Sequence, residues 1–284
     1  MIGLRFACCL AAALIFNAQL AAAETGIFVM KAEGGDARKV VAVDGFAYHG
    51  SPRWSHDGKR IVFDAVAEDE GIRKFFVVNA DGTGLEELGE QSMPDWSPDD
   101  KQVVFHHNGG ADVEKGIWVQ NLDRTGREWL TLGACPRWSP DGAQIAFTDW
   151  GTLKVFDVAD GKERSLSNEQ FVEFPHGFDW SHDGQRIAFV ARRVDAQVRE
   201  LFIVSVDKAR PETKVRLARD GSLGKHANWS PDGKQLAITI DAYIHVLDVE
   251  GTQPPRLLPG QTDKSRDPVW SPDGKWIVFA RRPR

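Results

Sequence analysis

The chain has 284 residues, a formal net charge of −6 at pH 7 and 27 Gly, 14 Pro and 10 Trp. The length admits one large domain or two small ones, and the mild acidity argues against a nucleic-acid partner. The Gly, Pro and Trp content predicts many turns and a recurring aromatic.

In chain order, residues 1–23 come first, MIGLRFACCLAAALIFNAQLAAA. Arg5 supplies a positive start, Phe6–Phe16 is too short to span a bilayer, and Ala21, Ala22 and Ala23 meet the small-residue cleavage rule. This is the pattern of a cleaved signal peptide, with a mature domain over 24–284. A buried N-terminal helix or an uncleaved anchor is the alternative. Cleavage removes Cys8 and Cys9 and leaves Cys135 without an internal disulfide partner. No later segment is long and apolar enough for a transmembrane helix, so no membrane span is expected after cleavage.

Next comes an apolar strand, a polar turn and a second strand, IFVMKAEGGDARKVV (27–41). The first tryptophan motif follows, PRWSHDGKRIVFDA, and it recurs five times, with PRWSPDGAQIAFTD as a representative copy. The tryptophans are Trp54, Trp96, Trp138, Trp180, Trp229 and Trp270, spaced by 42, 42, 42, 49 and 41 residues. Such a period signals a propeller or solenoid. Between the copies lie second half-units such as FFVVNADGTGLEEL (75–88) and LKVFDVADGKERSL (153–166). Each full unit therefore supplies about four short strands. The sixth tryptophan copy lacks a following half-unit, and 27–41 is a half-unit lacking a tryptophan. We expect an all-β, six-bladed β-propeller closed in Velcro fashion, the N-terminal strands completing the last blade.

The motif residues read as architecture. S-P-D-G fits a type I turn ending in a left-handed residue. His56 and His182 replace Pro, and Asp100 replaces Gly. Asp100→Gly is accordingly expected to stabilise the protein slightly. The six tryptophans are expected to pack between blades rather than stack on a ligand.

The repeat W-S-[PH]-D-[GD]-x-x-[IVL]-[AV]-[FI], with its trailing D-G half-unit, resembles the TolB-type propeller repeat over nearly the whole mature chain. Relatives of this repeat occur in prolyl oligopeptidase propellers and WD-repeat proteins. The resemblance implies six blades, a central channel and a periplasmic location. TolB proteins also carry an N-terminal α/β domain, which is not expected here. The TolB propeller docks a peptidoglycan-associated lipoprotein. By that resemblance an envelope protein or peptide partner is expected, with no cofactor and a monomeric chain.

No G-x-S-x-G elbow, P-loop, dinucleotide fingerprint, H-E-x-x-H or C-x-x-C is present. Any site must be assembled from separate loops, and those preceding each tryptophan are expected to meet at one channel mouth. They present Arg53, Asp95, Arg137, Asp179 and Asn228, either as a self-compensating charge ring or as a polar recognition surface. We expect the ring, because mixed charges at close quarters pair. Phe174 lies in the apolar stretch NEQFVEFPHGFD (168–179), which is read either as a core cap or as a partner-binding patch. The alternative to a scaffold is a metal-dependent lyase or hydrolase, or a carbohydrate-binding or small-ligand-binding propeller. Its divalent metal would be held by His49, His176 and His226, because some pectate-degrading lyases with related repeats use such a metal. His106 and His107 are expected to be exposed.

Overall fold

The computed structural model describes residues 25–68, 71–110, 112–167, 171–173, 177–208, 211–216 and 223–281. The segment 1–23 lies outside them. The described residues form six antiparallel sheets arranged as the blades of a propeller. Blade 1 comprises Phe46–Trp54, Arg60–Ala67, Arg73–Asn79 and Glu86–Gly89, from the channel outward. Blades 2, 3 and 5 repeat the plan with inner strands Ser92–Trp96, Ala134–Trp138 and Leu223–Trp229. Blade 4 has two described inner segments, Phe171–Glu173 and Phe178–Trp180, and both pair with Arg186–Arg193. Blade 6 joins the two ends of the chain. Its inner strands are Ser265–Trp270 and Trp276–Arg281, and its outer strands are Gly26–Lys31 and Arg38–Val41. Across that seam Ile27 faces Ala280 and Val29 faces Val278. The Velcro closure is therefore real, and the fold is a six-bladed propeller.

A four-stranded sheet has two apolar faces, and only neighbouring blades can cover both. The core is accordingly a set of clusters, each shared between two blades. Trp96 is buried with Val62, Phe75 and Leu88 of blade 1. Trp180 lies with Ala146 and Val155 of blade 3, Trp229 with Ala188 and Leu201 of blade 4, and Trp270 with Ala237 and Val246 of blade 5. Trp54 and Trp138, partly buried, pack on the clusters toward blades 6 and 2. Truncating a buried tryptophan of this kind to alanine costs about 3–5 kcal/mol.

In every S-x-D turn the serine hydroxyl donates to the aspartate two residues on, at 2.5–2.7 Å. That oxygen also accepts a backbone N–H, and together these bonds hold each carboxyl below its ordinary pKa. Most turns end in a left-handed glycine, such as Gly58 at φ 70°. The glycines of blades 1, 3, 4 and 6 sit beside the proline of the preceding blade's turn: Gly58 by Pro272, Gly142 by Pro98, Gly184 by Pro140 and Gly274 by Pro231.

The inner strands differ from expectation. The segments read as loops before each tryptophan are largely the inner strands themselves. Four of them carry a left-handed residue three positions before the tryptophan: Ser51, Met93, Cys135 and Asp267. There the pairing with the second strand slips. A proline follows each of the four: Pro52, Pro94, Pro136 and Pro268. The bulge takes them out of the ladder, where a missing N–H costs nothing.

Candidate functional site: a buried belt beneath a cationic mouth

The inner strands begin on one face of the ring, here the mouth face, and end at the S-x-D turns on the other. Arg53, Asp95, Arg137, Asp179 and Asn228 each lie one residue from the far end. They therefore do not sit at the mouth, as expected from the sequence, but deep in the ring, where they are brought together. Arg53 Nη1 reaches Asp179 Oδ1 at 3.1 Å, and its Nε lies 3.9 Å from Asp95 Oδ1. Asp95 Oδ2 accepts the Trp138 N–H of the next blade at 2.9 Å. Asp179 Oδ2 accepts the Trp229 N–H at 2.9 Å and the Asn228 amide at 2.7 Å. Asn228 Oδ1 accepts the Trp270 N–H at 2.7 Å. In return, the carbonyls of Arg53 and Arg137 accept the indole N–H groups of Trp96 and Trp180, at 3.1 and 3.2 Å.

Two arginines and two aspartates thus balance within a belt that laces blade to blade. Arg137 is 2% exposed; burial, helped by Arg53, pushes its pKa down to about 10. Burial pushes Asp179 up to about 6 against the pull of Arg53. Arg137 Nη1 donates to the Pro136 and Met93 carbonyls, while its buried Nε and Nη2 have no hydrogen-bond partner.

The three candidate metal ligands part company. His49 is buried, and its Nε2 accepts the Val43 N–H at 2.8 Å while Nδ1 lies 3.4 Å from Thr25 Oγ1. Both ring nitrogens are used, so this side chain is not placed to take a metal. His226 Nδ1 is 2.7 Å from Asp267 Oδ1. His176 lies outside the described residues. Among the described residues, no three His, Cys, Asp or Glu side chains gather where a metal ion could sit. His106, expected to be exposed, is buried, and His107 is half-buried with Nδ1 accepting the Gly109 N–H.

Above the belt the channel opens on the mouth face into a pocket of about 740 Å³ between blades 1, 5 and 6. Its basic lining residues are Arg73, Lys225, Lys264 and Arg266; its acidic ones are Asp64 and Asp267. Both carboxylates are already committed. Asp267 holds His226 and accepts the Ser51 N–H at 3.2 Å. Asp64 accepts the Met93 N–H at 2.9 Å, and burial raises its pKa.

The apolar stretch around Phe174 divides. Phe171 and Phe178 are core residues, Val172 is 51% exposed, and Phe174 lies outside the described residues. The sequence reading missed Trp150. It sits at the tip of the hairpin joining Gln144–Asp149 to Thr152–Asp157 on the mouth face, 96% exposed and left-handed at φ 42°. Phe171 donates its N–H to the Gly151 carbonyl, which brings Val172 alongside this tip. Leu132, 63% exposed, lies two residues before Ala134, which pairs with Thr148 next to the same tip. A tryptophan outside the repeat register was the one sequence signal available.

The family described as TolB beta propeller domain (PD40) matches residues 132–284. Among solved structures the chain is similar to a putative TolB from Agrobacterium tumefaciens, with a TM-score of 0.70 and 19% identity, covering 91% of this chain and 98% of that one. It is also similar to TolB from Acinetobacter baumannii, with a TM-score of 0.61 and 15% identity, covering 90% of this chain. It spans 63% of the length of that Acinetobacter chain. An oligogalacturonate lyase from Vibrio parahaemolyticus is similar at a TM-score of 0.51 and 12% identity, covering 93% of this chain and 99% of that one. No curated protein matches the sequence.

Proposed function

This chain belongs to the TolB beta propeller domain family, and we propose that it is an exported, non-catalytic interaction scaffold of the periplasm that binds an envelope protein or peptide on its mouth face. The observation that carries this reading is Trp150. A tryptophan left almost wholly in water, and held in a backbone conformation that favours glycine, has no role in the core. With Leu132 and Val172 beside it, it offers an apolar patch with an aromatic anchor.

The test is capture from envelope extracts, with the purified mature protein as bait. Wild-type protein is expected to retain a partner that Trp150→Ala loses, with the same melting curve for both. Equal capture by the two proteins overturns the reading.

The likeness to an oligogalacturonate lyase keeps a second reading in view, in which the mouth acts on or binds a carbohydrate. The His226–Asp267 pair lining the pocket is the observation that favours it. With His49 spent on backbone, the three-histidine metal site does not support that reading.

A further inference from the structure

We propose that the mouth pocket between blades 1, 5 and 6 is a carboxylate-binding site that receives an acidic segment of the partner's polypeptide. The proposal rests on the interaction reading above and deepens it. The chain as a whole is acidic, yet four cations converge on this pocket against two carboxylates. Both carboxylates are already hydrogen-bonded within the fold, and at two against four they leave the rim net cationic. Asp267 is taken up by His226 Nδ1 and the Ser51 N–H, and Asp64 is buried beneath the Met93 N–H.

The cations are less committed. Among the described residues neither Arg73 nor Lys264 has an ion-pair partner, and both are exposed. Lys225 is shared with Glu173 at 3.3 Å, and Arg266 donates to the His49 carbonyl while lying 3.8 Å from Asp267. Three buried polar atoms of its lining residues have no hydrogen-bond partner: Thr239 Oγ1, His226 Nε2 and Arg266 Nε. Thr239 is 5% exposed. A hydroxyl can donate to an incoming carboxylate. So can the Arg266 Nε–H, a charged donor.

The chemistry of the pocket is therefore that of a receptor for anions, and carboxylate is the anion a polypeptide carries. The same face presents Trp150, Leu132 and Val172, which call for apolar side chains. A polypeptide combines carboxylates with apolar side chains, whereas an oligouronate has only the carboxylates.

The experiment is fluorescence-anisotropy titration of the mature protein with three labelled probes. These are a twelve-residue peptide rich in Glu and Asp with two Leu, its Gln/Asn counterpart, and trigalacturonate. The acidic peptide is expected to bind, more weakly at high salt, and its amide counterpart is not. Lys264→Glu and Arg73→Glu are exposed changes that leave the melting curve intact. Each is expected to weaken the acidic peptide by roughly tenfold or more. Equal binding of acidic and amide peptides, no effect of either charge reversal, or binding of trigalacturonate alone overturns the proposal. If the acidic peptide fails while Trp150-dependent capture from extracts persists, the pocket assignment falls and the scaffold reading stands.

Discussion

The S-x-D turns pack against one another around the far face, so the residue replacing Gly in one turn meets the residue replacing Pro in the turn before it. Asp100 and His56 are such a pair. Asp100 Oδ1 accepts the His56 N–H at 2.7 Å and lies 3.0 Å from His56 Nδ1, while Oδ2 accepts the Asp57 N–H at 2.9 Å. This reverses the sequence expectation for Asp100→Gly. Glycine relieves a left-handed strain of about 1–2 kcal/mol at φ 57°, but it deletes three bonds to a carboxylate, each contributing about 1 kcal/mol or more. Asp100→Gly is expected to lower the thermal midpoint, by roughly 2–4 °C per kcal/mol lost. The double change His56→Pro, Asp100→Gly rebuilds the turn contact of the other blades and is expected to recover part of the loss. A single variant as stable as wild type would remove the pairing from the account. His49 gives a second test at this scale. Burial, aided by Arg266, lowers its pKa to about 4. The unfolded chain takes up this proton near pH 6.5 and the folded one only near pH 4, so the stabilisation is complete above 6.5 and lost as pH falls to 4. Between pH 7 and 4.5, wild type is expected to lose up to about 3 kcal/mol more in urea titrations than His49→Gln. Parallel losses would mean that the imidazole titrates alike in both states.

Strands were legible where they are regular. Ile61–Phe63, Val103–Phe105 and Ile145–Phe147 read as second strands because β-branched and aromatic residues recur behind a fixed turn. The inner strands were legible only where they end at the Trp-Ser, and their upstream part read as loop because a bulge and a proline interrupt the alternation on which a strand is recognised. That error carried Arg53, Asp95, Arg137, Asp179 and Asn228 to the wrong end of the channel, although their alternating charge was visible in the register. The strand directions explain the rest. Once the residue before each tryptophan is known to end an inner strand, its side chain is positioned to reach the next blade's backbone, as Asp95 reaches Trp138 and Asn228 reaches Trp270. The pocket was invisible for another reason. Arg73, Lys225, Lys264 and Arg266 come from blades 1, 5 and 6 with no shared motif position. Only the closed ring makes them neighbours. Trp150 is a hairpin tip, and no periodicity marks it.

Closure is a property of the whole molecule, and blade 6 is where it can fail. Every other blade is continuous in sequence apart from its loops, so its strands rejoin over short distances. The blade 6 seam between Gly26–Lys31 and Trp276–Arg281 instead joins residues some 250 positions apart, and its loop-closure entropy is correspondingly large. The N-terminal pair, Gly26–Lys31 with Arg38–Val41, also covers the apolar faces of its neighbours: Ile27 and Val29 pack with blade 1, and Phe28 and Met30 with blade 5. Opening the seam therefore exposes two inter-blade clusters at once, and it is the expected first step of unfolding. A disulfide across it, Ile27→Cys with Ala280→Cys, joins directly opposed residues. In the chain-entropy limit such a bond stabilises by up to about 5 kcal/mol, because the loop it closes is nearly the whole domain. Oxidised and reduced samples of that one variant differ only in the bond, so the strain of the substitutions cancels if the bond itself adds none. The oxidised form is expected to unfold at clearly higher denaturant in one cooperative transition, and Cys135, buried and pushed up to about 11 by burial, takes no part. Equal midpoints for the two forms would show that the ring opens elsewhere first.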